Sequence, residues 1–164
     1  MTTPEAGGVD SGVDIGHVHL KVADLERSVA FYTEALGFEE QTRYPGAAFL
    51  SAGGYHHHIG LNTWHSEGGP PPAPNATGLF HFAIRYPTRA ALATALKRLI
   101  EAGVRIGGAS DHGVSEAIYL ADPDGNGIEL YWDRPKEEWP HKPDGELEMY
   151  TRPLDVESLL SEAA

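Results

Sequence analysis

Residues 111–133, DHGVSEAIYLADPDGNGIELYWD, decide how the rest of the chain is read. Two runs of β-branched and aromatic residues, Ala117 to Leu120 and Ile128 to Trp132, flank Asp122-Pro123-Asp124-Gly125-Asn126-Gly127. That cluster of turn formers predicts a hairpin. In its second strand, alternation puts Glu129 and Tyr131 on one face and Ile128, Leu130 and Trp132 on the other. A carboxylate in so apolar a strand is costly to desolvate unless a cation or several donors meet it. The sequence offers a metal ion, Lys21 or Arg85 as its partner.

Upstream, one order of elements occurs twice. Ile15 to Val22 alternates, with Val18, Leu20 and Val22 on one face and His17, His19 and Lys21 on the other. Asp24 then caps a helix carrying Leu25, Val29, Tyr32 and Leu36 at helical spacing, and Gly37 stops it. Strands from Phe38, at Ala47 to Ser51 and at His57 to Asn62 complete a first βαβββ module, residues 15–63. Residues 64–78, dense in Pro and Gly, read as a linker. A second module, residues 79–133, follows with a strand at Leu79 to Tyr86 and a helix capped by Thr88 whose buried stripe is Leu92, Leu96 and Leu99. Gly103 ends that helix, and strands at Val104 to Ile106, Ala117 to Leu120 and Ile128 to Trp132 close the module. Phe82 and Trp132 fall on core faces and serve packing.

The modules are degenerate repeats in which His17 answers His81 and the Phe49 hairpin answers the Tyr119 hairpin. The predicted fold class is α+β, two βαβββ modules forming one open, curved mixed sheet within a single domain, residues 15–133. Residues 1–14 read as a disordered lead-in. The extension 134–164, with a strand at Leu147 to Tyr150 and a helix from Asp155 to Glu162, covers either a sheet edge or a partner subunit.

Composition narrows the function. Twelve Lys and Arg stand against 24 Asp and Glu, a net charge of -12, and no basic stripe is present to displace the counterions of a nucleic acid. With no cysteine and nine histidines, strong metal ligation falls to imidazole and carboxylate. The lead-in has neither a basic region nor an apolar run, which fits a cytoplasmic protein that is not membrane-bound. A homodimer is the default for so small a chain.

Repeats packed about a pseudo-twofold axis bring equivalent positions together, so His17 and His81 can converge with Glu129. Two imidazoles and a carboxylate make the facial triad that leaves open positions on Fe(II) for substrate and O2; Mn(II) and zinc accept the same donors. His19 shares the face of His17 and competes with it for the role.

The pattern HVHLKVADLERSVAFYTEALGF, then HFAIR, then DPDGNGIELYW resembles the vicinal oxygen chelate superfamily, which includes glyoxalases, bleomycin and fosfomycin resistance proteins and extradiol dioxygenases. Glyoxalases of this kind add a second glutamate ligand at a position that falls near Gly60, where no carboxylate stands. The resemblance is closer to the catechol 2,3-dioxygenase-like branch, whose two His and one Glu map to His17, His81 and Glu129. By the same resemblance His57 is the acid-base catalyst, His112 hydrogen-bonds substrate and oxygen, and Tyr119 contacts a substrate hydroxyl. What it implies is an extradiol ring-cleaving dioxygenase using Fe(II), or Mn(II), and O2 on a catechol-like diol. A glyoxalase-like isomerase or lyase and a ligand-sequestering resistance protein are the other functions this superfamily offers.

Overall fold

The computed structural model describes residues 8–164. Of the lead-in expected to be disordered, residues 1–7 lie outside the described residues, and 8–14 are exposed without helix or strand.

The first module runs β1 (Val18–Lys21), α1 (Leu25–Ala30), β2 (Glu39–Tyr44), β3 (Ala47–Ser51) and β4 (Ile59–Asn62). The second runs β5 (Phe82–Arg85), α2 (Arg89–Glu101), β6 (Gly108–Asp111), β7 (Ser115–Ala121) and β8 (Gly127–Asp133), followed by β9 (Arg152–Pro153) and α3 (Val156–Leu160). Each module makes its own mixed sheet, β1-β4-β3-β2 and β5-β8-β7-β6-β9, so the α+β class and the two βαβββ modules hold, while the single sheet expected is two, because the ladders run within modules. The repeat is visible in the pairing: β1 lies parallel to β4, and β5 lies parallel to β8.

Both helices begin at the expected caps, where Asp24 and Thr88 accept from the backbone N–H groups of Arg27 and Ala91. The first helix continues as a π turn over Phe31–Ala35, which still buries Tyr32. The strands at 15–22 and 79–86 are shorter than their alternation suggests, because β4 and β8 offer only four partners to each. The strand expected at Val104 to Ile106 lies instead at Gly108–Asp111, where β7 pairs with it. Val104 and Ile106 pack against the core from a loop, so their apolar pattern reports burial and not pairing. Leu147 to Tyr150 makes only an isolated bridge from Leu147 to His141, and the tail pairs further on, through Arg152–Pro153 against Ser110 and Asp111. The tail therefore covers the edge of the second sheet.

One apolar cluster draws on both modules and on the tail, from Leu20, Leu50 and Leu61 through Leu92, Leu96 and Leu130 to Leu159. Phe82 is buried in it and Trp132 packs against it, as expected. Polar ties reinforce the contact. In the turn between β7 and β8, buried Asp124 accepts from Arg27 at 2.9 Å, Ser28 at 3.3 Å and the Ala23 N–H at 3.1 Å. Asp122 accepts from the fully buried Tyr32 hydroxyl at 2.8 Å. The turn that leads into Glu129 is thus fastened to the helix of the other module. Tyr32→Phe is expected to cost about 1–3 kcal/mol by removing a donor from a buried carboxylate, read as a lowered urea midpoint with an unchanged slope.

Candidate functional site

Glu129 sits at the middle of β8, opposite Tyr119 on β7 and beside Ala83 on β5. Its carboxylate is 14% exposed, with Oε2 lying 2.9 Å from His81 Nε2. The Tyr119 hydroxyl lies within hydrogen-bond distance of both Oε1, at 3.2 Å, and His112 Nε2, at 2.5 Å. At the far side of that ring, Nδ1 donates to the Tyr150 carbonyl at 2.9 Å. His81, Glu129, Tyr119 and His112 therefore form one connected polar run on one face of the second sheet. Neither Lys21 nor Arg85 answers Glu129, since Arg85 lies 3.6 Å from Asp133 instead.

Burial, followed by the charge of Glu129 and the hydrogen bond to it, pushes the Tyr119 phenol up to about 12. The hydroxyl keeps its one proton at neutral pH. It can give that proton to His112 or to Glu129, not to both.

The first module assembles a second group. His17 is exposed just before β1, and its ring centroid lies 4.4 Å from that of His57, whose Nδ1 is 2.8 Å from His56 Nδ1. Desolvation, then the neighbouring His17, His56, His19 and His58, hold His57 below the ordinary imidazole range, so it is neutral at physiological pH.

His19 does something different. Asn62 Nδ2 lies 2.9 Å from its Nε2, and its ring covers Gly60, where an added Cβ would come within 3.0 Å. Pairing shows what this means. His19 partners Gly60 in the first sheet as Ala83 partners Glu129 in the second, so Gly60 is the structural counterpart of Glu129. A large ring over a glycine in one module replaces a small residue beside a carboxylate in the other. No carboxylate fits at position 60 without moving His19, and His19 spends its Nε2 on Asn62.

The donor chemistry fits a divalent metal at His81 and Glu129. Bonds of about 2.1 Å at a right angle place two donors about 3 Å apart, and the Nε2 to Oε2 separation is 2.9 Å. Among the described residues no three His, Asp or Glu side chains converge as a metal group, so the pair is assembled and His17 stands with the first-module histidines.

Residues 14–130 match the family model of the glyoxalase/bleomycin resistance protein/dioxygenase superfamily. The chain belongs to that superfamily. It is 44% identical over 153 residues to a catechol-2,3-dioxygenase of Bacillus subtilis (strain 168), covering 91% of this chain and 52% of that protein. It is 30% identical over 119 residues to a biphenyl-2,3-diol 1,2-dioxygenase of Rhodococcus globerulus, covering 73% of this chain and 63% of that one. The chain thus spans between about half and two thirds of the length of these relatives. A glyoxalase/dioxygenase crystal structure from Nostoc punctiforme superposes with a TM-score of 0.63 at 22% identity, over 82% of this chain and 99% of that one, a likeness of fold. No helix among the described residues is long and apolar enough to cross a membrane.

Sequence reasoning missed the groups that hold the run in place. Arg134 grips Asp111 at 2.7 and 3.0 Å, one residue before His112, and lies 3.4 Å from buried Glu116, which also binds Arg89. The hydrogen bonds from Arg134 hold Asp111 below its usual 3.8. Arg134→Met is expected to cost about 1–3 kcal/mol at neutral pH. A carboxylate with a depressed folded-state pKa stabilises above its unfolded value and loses that contribution as pH falls through the folded one. The gap between variant and wild type in thermal or urea unfolding should therefore narrow as pH drops below 3.8.

Proposed function

We propose that this chain is an extradiol-type dioxygenase that opens a catechol-like aromatic diol with a mononuclear divalent metal and O2. The observation that carries the reading is the connected run of His81, Glu129, Tyr119 and His112, in a chain 44% identical to a catechol-2,3-dioxygenase over 153 residues. His81 and Glu129 hold the metal, with His17 assigned as the third donor. Fe(II) is the ion this reading favours, and Mn(II) shares its donors and geometry. When bound, the metal supplies Lewis-acid polarisation of two adjacent hydroxyl oxygens and a redox route to dioxygen.

The protein's own groups do the proton work. His57 is neutral, and its Nδ1 is engaged with His56, so Nε2 is the atom left to take a proton from a substrate hydroxyl. Tyr119, its phenol pushed up by burial and by Glu129, keeps its proton at neutral pH and orients a substrate oxygen by hydrogen bonding. His112 Nε2, next to the Tyr119 hydroxyl, accepts or returns a proton on the same face. Gly60 favours this reading over a glyoxalase-type site, because the counterpart of Glu129 in the first module carries no ligand.

Anaerobic loading with Fe(II), followed by a panel of catechols and O2, should give yellow ring-fission product. Tyr119→Phe should lower kcat about 100-fold, the usual cost of one donor to a developing oxygen charge, and Glu129→Ala should fail to retain iron by metal analysis. Stoichiometric bound iron with no ring-fission product from any catechol would overturn the reading.

A further inference from the structure

The extension after Asp133 is fastened across the second sheet at the point where His112 enters the polar run. Arg152 and Pro153 pair with Asp111 and Ser110, the Arg152 guanidinium lies 3.9 Å over the Tyr150 ring, and Trp139 Nε1 donates to the Arg134 carbonyl at 2.8 Å. Gly113, buried at φ 79°, lets the strap lie this close. A Cβ there would come within 2.7 Å of the Tyr150 ring and 2.8 Å of Pro140. What this approach delivers is the Tyr150 carbonyl, 2.9 Å from His112 Nδ1, while the Tyr150 N–H donates to the His112 carbonyl at 3.3 Å.

We infer that the C-terminal strap is part of the working site and that Tyr150 is a positioning residue, its carbonyl fixing the tautomer and aim of His112. A carbonyl can only accept, so His112 Nδ1 must carry a proton whether the ring is neutral or charged. Every change in the protonation of His112 is then confined to Nε2, the nitrogen that faces Tyr119. Free imidazole side chains prefer the opposite neutral tautomer, with the proton on Nε2, and that form would turn a donor and not a lone pair toward the Tyr119 hydroxyl. Among the described residues, the other polar partner of Nδ1, Thr151 Oγ1, is more distant at 3.4 Å. The catalytic meaning of this positioning rests on the dioxygenase reading; the tautomer itself does not.

Two measurements on the whole 164-residue chain test the inference separately. Long-range 1H–15N correlation of 15N-histidine-labelled protein, with the His112 signals identified by their loss in His112→Asn, should show neutral His112 protonated at Nδ1. Protonation at Nε2 overturns the proposal without any assay of activity. Replacing the Tyr150–Thr151 amide by an ester then weakens that one carbonyl as an acceptor while leaving every side chain in place. In iron-loaded protein it should lower kcat for a catechol about tenfold with KM unchanged, the factor that one weakened hydrogen bond supplies, and the Nδ1–H tautomer should lose population. An ester variant with wild-type kcat overturns the positioning role. A wild-type protein that turns over no catechol yet shows the Nδ1–H tautomer overturns the dioxygenase reading and supports the strap's hold on His112.

Discussion

Two carboxylates buried in one turn hold the architecture to its purpose. Asp122 and Asp124 would each be costly to bury alone, and their partners lie on two sides. Within the turn, Asp122 accepts from the backbone N–H groups of Asp124 and Asn126; across the module boundary it meets Tyr32, and Asp124 meets Arg27 and Ser28. The turn cannot shift without exposing or orphaning one of these charges. Since β8 begins at Gly127, the position of Glu129 relative to the first module follows from that anchorage.

The repeat supplies the scaffold, and its breaking supplies the chemistry. Equivalent pairings place Phe49 opposite Gly60 and Tyr119 opposite Glu129, so one hairpin carries an apolar ring facing a glycine and the other a phenol facing a carboxylate. The first module fills the space with His19 and gathers His17, His56 and His57 nearby. The second keeps Ala83 small and leaves room for a charged group. A single backbone plan thereby presents imidazoles from one half and a carboxylate with its phenol from the other.

Much of this was legible in the letters. The caps at Asp24 and Thr88, the hairpin around Asp122 to Gly127 and the alternation of Glu129 against Ile128 and Leu130 all depend on local geometry, which short-range pattern encodes. So does the adjacency of Glu129 and Tyr119, which follows from the turn length. Other features depend on contacts distant in sequence. Gly-Ala-Ser-Asp at β6 has no apolar period to read, and becomes a strand because β7 and β9 flank it. The hold of Asn62 on His19 and of the Tyr150 carbonyl on His112 spans 43 and 38 residues respectively, and neither partner belongs to a recognisable motif.

The outer margins of the two sheets carry a separate consequence. β9 is two residues long and ends in Pro153, which has no N–H to offer, while β2 is exposed along its length, bears Glu39, Glu40 and Arg43, and shifts register between Glu40 and Thr42. Short, prolyl, charged and irregular edges are poor templates for a further strand. The β2 and β9 margins are thus poorly suited to edge-to-edge stacking, and any further strand would find its better template at β1 or β5, the opposite margins of the two sheets.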